Sequence, residues 1–278
     1  MKIAISAEST VDLPKDLLEK FDIHTLPFTV LLNDKVFLDG EIEPQKIFEY
    51  VKENKILPKT SAVNEYQFEE HFKKLLQTYD AVIHISISSG VSCAYDNAVK
   101  VSKNMENVFI IDSLTLSTGI ALLAIKASKM VKRGAELKEI CESISKCIPQ
   151  VQASFVINRL DYLYKGGRCS TLQLLGANIL KIKPQISLQD GKMYMKRKFR
   201  GKLDEVLIEY TNKLLSEYKA ISLDEVFITY TTASDNIVAS IKQILIDRGF
   251  KEIFVTKAGC TISSHCGEGC LGVLFITK

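Results

Sequence analysis

The sequence predicts an α/β protein in two parts: a parallel-sheet α/β domain over residues 1–149 and a mixed-sheet α/β domain over residues 150–278. Three observations predict it. Strand and helix patterns alternate through the first half, which is how a parallel sheet is written. After Pro149 the rhythm changes, and Asp190-Gly191 marks a hairpin between Ile186–Leu188 and Met193–Met195, hence antiparallel pairing. A length of 278 residues is enough for two cores.

The elements follow in order. Lys2 to Ala7 is a first strand, and Pro14 opens a helix through Lys20, a position proline tolerates. Ile23 to Leu32 is extended with Pro27 inside it, and Asn33-Asp34 turns the chain into Val36 to Leu38. Pro44 starts a helix to Glu53. The next helix carries Phe68, Phe72, Leu75, Leu76 and Tyr79 on one face, and Asn64 with Gln67 has capping-box spacing. Ile83, Ile85 and Ile87 alternate with His84, Ser86 and Ser88, giving a strand with one strongly apolar face. A helix from Ala94, a strand Val108 to Ile111, a helix ending at Arg133 before Gly134 and a helix Leu137 to Cys147 complete the first half. The second half reads as strand Val151 to Ile157, a helical turn Leu160 to Tyr164, a loop Lys165-Gly166-Gly167-Arg168, an apolar helix Leu172 to Leu180 and the hairpin. Helices Leu203 to Tyr218 and Asn236 to Arg248 then intersperse with strands Val226 to Tyr230, Ile253 to Thr256 and Val273 to Ile276.

Composition narrows the function classes. Hydrophobic residues make up 46% and charged residues 25%, as in an ordinary folded domain. A net charge of +3 is too small to argue for nucleic acid, so the basic run Lys196 to Lys202 reads as a solvated face or a surface for an acidic partner. The most apolar stretch, Gly119 to Ile125, meets Lys126 well short of a membrane span, and the N-terminus lacks a signal-peptide profile. Seven cysteines, an odd number, fit free thiols in a reducing cytoplasm.

Ser86 to Tyr95 draws the eye as a site. It is a strand end, a glycine turn and a helix start with four serines, and such a junction is expected to leave backbone N–H groups free for an anion. Ser92 either caps the following helix or meets that anion. Thr60 and Ser61 either bond their own loop or a ligand, because Asn64 takes the capping role and leaves Ser61 free. His265 is a loop residue or a ligand residue, and Arg168 a solvated turn residue or a contact.

These pieces in this order resemble the DegV family of bacterial lipid-binding proteins. The resemblance rests on Lys2-Ile3-Ala4-Ile5 with Ser9, Thr10, Asp12, Leu13 and Pro14, on Pro58 to Ser61, on Ser88 to Tyr95 and on Asp112-Ser113. In the second half it rests on Leu163, Gly166, Gly167, Arg168 and Ser170, on Ile182, Lys183 and Pro184 with Asp190-Gly191, and on His265, Gly267 and Gly269. It implies a two-domain DegV-like fold and a long-chain fatty acid in an apolar tunnel, its carboxylate held by Thr60, Ser61, Ser92 and His265. It also implies a fatty-acid kinase as partner, engaged through Arg168, a role in phospholipid metabolism, and no cofactor. Departures are Glu8 for the family's usual aspartate, Cys93 and Ala94 for glycine and threonine, Gln185 for an aliphatic residue and Glu268 for proline.

Two rivals come from other classes. A serine hydrolase or acyltransferase would use Ser92 and His265 with Asp112, although no Gly-x-Ser-x-Gly elbow is present. A metal site would draw on Cys260, His265, Cys266 and Cys270, whose spacing is not that of a CxxC pair. No Walker loop or kinase motif is present, so the chain is expected to carry a substrate and not to transfer phosphoryl groups itself.

Overall fold

The computed structural model of the chain describes residues 1–169 and 182–278; the expected helix Leu172 to Leu180 and the motif residue Ser170 lie outside the described residues. From the N-terminus the chain runs β1 (Ile3–Glu8), α1 (Lys15–Phe21), β2 (Ile23–Leu26), β3 (Thr29–Leu32), β4 (Lys35–Leu38), α2 (Pro44–Asn54), β5 (Lys59–Ser61), α3 (Glu65–Leu76), β6 (Ala81–Ser86), α4 (Ala94–Ser102), β7 (Val108–Asp112), α5 (Thr118–Lys132) and α6 (Leu137–Cys147). It continues with β8 (Val151–Val156), α7 (Leu160–Lys165), β9 (Lys183–Gln189), β10 (Lys192–Phe199), α8 (Leu203–Glu217), β11 (Ile221–Tyr230), α9 (Asp235–Arg248), β12 (Glu252–Lys257), α10 (Cys260–Cys266) and β13 (Leu271–Thr277).

Before Pro149 a four-stranded sheet has the order β2-β1-β6-β7, and every pair in it is parallel. After Pro149 a six-stranded sheet has the order β10-β9-β8-β13-β11-β12, antiparallel except for β11 with β12. This is the α/β architecture expected, a parallel sheet followed by a mixed one. The hairpin forms at Asp190-Gly191, whose φ angles of 49° and 75° are the paired positive values a tight two-residue turn demands.

Two elements depart from the sequence reading. The extended run Ile23 to Leu32 is divided at Pro27: β2 joins the parallel sheet, while β3 leaves it to pair with β4 and β5 in a separate three-stranded antiparallel sheet. Proline has no N–H for a ladder, so the strand cannot continue through it. Strand β6 is buried along its whole length instead of on one face. His84 packs edge-on against Phe68 and Phe72 of α3, so its face is covered as fully as the isoleucine face.

Helix α5 explains how the sheets meet. Thr118 to Ile125, Ala127 and Ser128 are all buried, the burial of a helix with no solvent face in its first turns. It packs against β1 and β6 on one side and against β8, β11 and β13 on the other. One apolar core therefore runs from Ile5 and Ile83 through Leu122 and Ile125 to Phe155, Ile186 and Leu274. A second fills the space between the mixed sheet and α8 and α9, around Tyr210, Leu214, Ile228, Ile241 and Phe275.

Candidate ligand-binding site

The site is built around α10, a helix the sequence does not announce. Cys260-Thr-Ile-Ser-Ser-His-Cys266 has few good helix formers and no acidic residue in its first turn. Its caps come from far away in the chain. Asp12 Oδ1 accepts from Gly259 N at 2.8 Å, and Asp39 accepts from Cys260 N at 2.8 Å and Thr261 N at 3.2 Å. Ser9 donates to Asp39 and Ser117 to Asp12, so the opening Ser9 to Pro14 motif serves to hold α10. Burial pushes the Asp12 carboxyl up to about 8, against the pull of Ser117 and Gly259 and with a further push from Asp39.

At the other end of α10, His265 Nε2 lies 2.8 Å from Thr60 Oγ1. Thr60 is fixed opposite Val30 by β5, which gives that three-residue strand its purpose. The imidazole sits against the glycine loop: a Cβ on Gly166 would come within 2.7 Å of His265 Nδ1. Burial, with the nearby Arg168 charge, pulls His265 down to about 4, so the ring is neutral at physiological pH. A neutral ring that donates Nε2–H to Thr60 leaves the threonine hydroxyl proton for a ligand oxygen.

The serine turn meets its expectation only in part. Ile87 N donates to Glu8 Oε2 at 2.9 Å, Ser88 N to Thr115 O at 3.0 Å and Ser89 N to Asp112 Oδ1 at 3.2 Å. Gly90 N donates to Ser88 Oγ at 3.1 Å, while Val91 N and Ser92 N donate to Ser88 O at 3.1 and 3.2 Å. From Ile87 to Ser92 the backbone N–H groups are therefore taken, whereas Cys93 N and Tyr95 N, at the start of α4, have no acceptor among the described residues. Ser92 does not occupy the cap position. That position is Cys93, and Ser92 Oγ accepts from Ala94 N at 3.2 Å, which leaves its proton for a ligand.

Thr60, Ser61, Ser92, Arg168 and His265 all border one cavity of about 300 Å³. Its other walls include Phe28, Ile87, Leu116, Phe155, Leu163, Met193 and Ile262. Ser61, Cys93 and Arg168 are exposed and Thr60, Ser92 and His265 half-buried, whereas Ile87, Leu116, Phe155, Leu163 and Ile262 are buried. The polar groups accordingly form the outer rim and the apolar side chains the interior. An apolar annex of about 30 Å³ shares Leu116, Phe155, Ile262 and Cys266 with it and continues toward Leu274. Of the hydroxyl side chains that follow β1, β6 and β7, Ser92 of the serine turn borders the main cavity, whereas Ser9, Thr10, Ser113, Thr115, Ser117 and Thr118 do not. Ser9 and Ser117 bond the two clamping aspartates, and Thr118 pairs with Thr229.

The family model described as "Uncharacterised protein, DegV family" matches residues 2–278. The chain belongs to the DegV family. Among curated relatives, a DegV domain-containing protein of Clostridium acetobutylicum is 33% identical over 283 residues, spanning 100% of this chain and 99% of its own. A fatty acid-binding protein of Thermotoga maritima is 30% identical over 281 residues, covering 98% of this chain and 96% of the relative. The crystal structure of DegV, a fatty acid binding protein from Bacillus subtilis, superposes with a TM-score of 0.87 at 25% identity, covering 100% of both chains.

Within this DegV chain the rival constellations are not assembled. His265 faces Thr60, and Asp112 Oδ1 accepts from Ser89 N and Leu114 N, so no Ser92, His265, Asp112 relay exists. Among the described residues no group of three or more His, Cys, Asp or Glu side chains is placed to hold a metal ion, and Cys260 Sγ instead donates to Ile42 O at 3.0 Å. The departures from the DegV pattern have visible settings. Glu8 is fully buried and receives Ser86 Oγ at 2.6 Å as well as Ile87 N, which fixes the base of the serine turn. Cys93 is exposed at the cavity rim, where it adds a side chain beside Ser92. Gln185 is fully buried under α8 with neither amide atom partnered.

Asp39 gives no signal in the sequence, and Glu8 stands out there as a departure without its role at the base of the serine turn. Asp39 follows β4 in a turn and gives no local sign of a partner more than two hundred residues away, at Cys260.

Proposed function

We propose that the chain binds one long-chain fatty acid in this cavity, its carboxylate at Thr60, Ser61, Ser92 and His265 and its chain running inward past Ile87, Leu116 and Phe155. One observation carries the reading: a rim of hydroxyls and a neutral imidazole, with the Arg168 cation exposed at its edge, around an apolar interior. Hydroxyls can donate to a carboxylate without the desolvation penalty of a buried cation. Each methylene taken out of water contributes about 0.8 kcal/mol, so the chain supplies most of the affinity and the rim sets orientation. Such a balance suits a carrier that must release its cargo.

The finer proposal is that the carboxylate is presented to a fatty-acid kinase. A carboxylate oxygen would attack the terminal phosphorus of the nucleotide, releasing the diphosphate and forming an acyl-phosphate for phospholipid synthesis. Arg168, exposed at the rim, is the partner contact we assign. A cytoplasmic setting agrees with an odd count of seven cysteines, and no helix among the described residues is long and apolar enough to cross a membrane. Division into units 1–149 and 150–278 is part of the same proposal, supported by each half supplying its own sheet.

Mass spectrometry of protein expressed in bacteria tests the binding. One long-chain fatty acid per chain, held more weakly by Ser92→Ala without loss of fold, is expected. The absence of both co-purified acid and uptake of added palmitate would refute it. For the partner, Arg168→Ala should retain the fatty acid but lower acyl-phosphate formation by a supplied fatty-acid kinase, and unchanged turnover would contradict that role.

A further inference from the structure

We infer that the tip of the β9–β10 hairpin is a movable lid over the cavity, latched to the serine turn, and that it opens to let an acyl chain in and out. This rests on the fatty-acid reading above and adds to it the route of exchange.

The hairpin reaches beyond the sheet that carries it. Strand β9 pairs with β8 at Gln185, Ile186 and Ser187, whereas its pairing with β10 continues through Leu188 and Gln189 to the turn. Residues 188–193 therefore form a ribbon of two strands, and no third strand among the described residues pairs with them. A two-stranded ribbon is marginally stable by itself. Strand β10 is an edge strand, and its register shifts between Met195 and Arg197, an irregularity of the kind at which a strand bends. Overhang and hinge thus lie on the same hairpin.

The overhang carries part of the cavity wall. Met193 borders the cavity and is buried in the core that both sheets share, while Ile87, Val91 and Ser92 of the serine turn border the same cavity. The two walls are joined by a latch, Ser88 Oγ donating to Gly191 O at 2.7 Å. Their backbones also touch: a Cβ on Gly90 would run into Gly191 O and lie 2.9 Å from Gly191 C. Gly191 needs its positive φ of 75° for the hairpin turn, whereas Gly90 is glycine for close approach alone. Cys169 Sγ adds a longer contact to Met193 O, at 3.6 Å. Other walls are held more firmly. Helix α10 has three backbone N–H groups clamped by two aspartates, and α5 is buried all round in its first turns. The cavity accordingly opens along the seam between hairpin and serine turn, and Ser88 and Gly90 hold that seam without bordering the cavity.

The test measures the association and dissociation rates of palmitate on delipidated full-length protein, in wild type, Ser88→Ala and Gly90→Ala. A latch that closes the free and the loaded protein alike slows entry and exit together. Ser88→Ala should therefore raise both rate constants by about 3- to 10-fold, the factor one net hydrogen bond supplies, and leave the dissociation constant within about twofold. Gly90→Ala, which wedges the seam apart, should raise both further with far-ultraviolet circular dichroism unchanged; Ser88→Ala decides alone should Gly90→Ala not fold. Rates equal to wild type, or a faster dissociation alone that weakens affinity, would overturn the inference while leaving fatty-acid binding intact. Failure of palmitate to bind wild type would instead overturn the fatty-acid reading, and this inference with it.

Discussion

Two buried polar side chains, Gln185 and His265, show opposite relations between chemistry and surroundings. Gln185 is fully buried without a partner for either amide atom, where the family usually has an aliphatic residue. Burying unpaired amide atoms costs about 1–3 kcal/mol, so Gln185→Leu should stabilise the protein by an amount of that order, read as a shift in the denaturant midpoint. No change, or a loss, would mean that the amide is satisfied in solution. His265, by contrast, is positioned to act while uncharged. Its folded value near 4 lies below the ordinary imidazole value of 6.5. Between those two values the unfolded chain binds a proton that the folded chain refuses, so His265 lowers stability as pH falls through that window. Above it the ring is neutral in both states. Fatty-acid affinity should therefore be flat from about pH 6 to about pH 8, whereas an imidazolium contact would weaken steadily as pH rises there. Ser92 could be named from its strand-turn-helix junction, and Thr60, Ser61, His265 and Arg168 were open alternatives that the ordered family motifs joined to it. Asp39 could not be named, because its partners at Cys260 and Thr261 lie more than two hundred residues away.

Local grammar decides which elements were legible. Helix α3 was, because Asn64 and Gln67 complete their capping box within one turn. The Asp190-Gly191 hairpin was legible for the same reason. Helix α10 was not: its propensity is poor and its caps, Asp12 and Asp39, belong to the first forty residues. The glycine loop after α7 does its work across space as well. Gly166 lies at φ −66°, a value any residue adopts, yet a Cβ there would meet His265 Nδ1 at 2.7 Å and Tyr162 O at 3.0 Å. Gly166→Ala should thus displace the imidazole from Thr60 and lower fatty-acid retention several-fold, with little change in far-ultraviolet circular dichroism. Retention equal to wild type would show that His265 placement is not limiting. The serine turn is locked to the hairpin by a comparable contact, Ser88 Oγ donating to Gly191 O at 2.7 Å, which ties one wall of the cavity to the other half of the chain.

For the molecule as a whole, the cavity draws on all three sheets, with Thr60 and Ser61 from β5 of the small antiparallel one. Its lining alternates between the halves, with Phe28, Ile87 and Leu116 from one and Phe155, Leu163 and Ile262 from the other. Because α5 is buried between both sheets and one core spans them, unfolding should be a single cooperative transition. A ligand bound only by the folded state adds about 2.7 kcal/mol of stability at a hundredfold excess over its dissociation constant, which raises the melting midpoint. Delipidated protein should accordingly melt lower than protein as purified, still in one step; two separated steps would contradict the shared core. The two-sheet plan was readable from the change of rhythm at Pro149, but the sandwiching of α5 was not, since an apolar helix does not say how many sheets it touches. A crystal structure of the protein with palmitate decides most directly whether this cavity is the fatty-acid site. The carboxylate is expected within hydrogen-bond distance of Thr60 and Ser92, with the chain directed past Leu116 and Phe155 toward the annex. A carboxylate at the inner end, or palmitate bound outside this cavity, would contradict it.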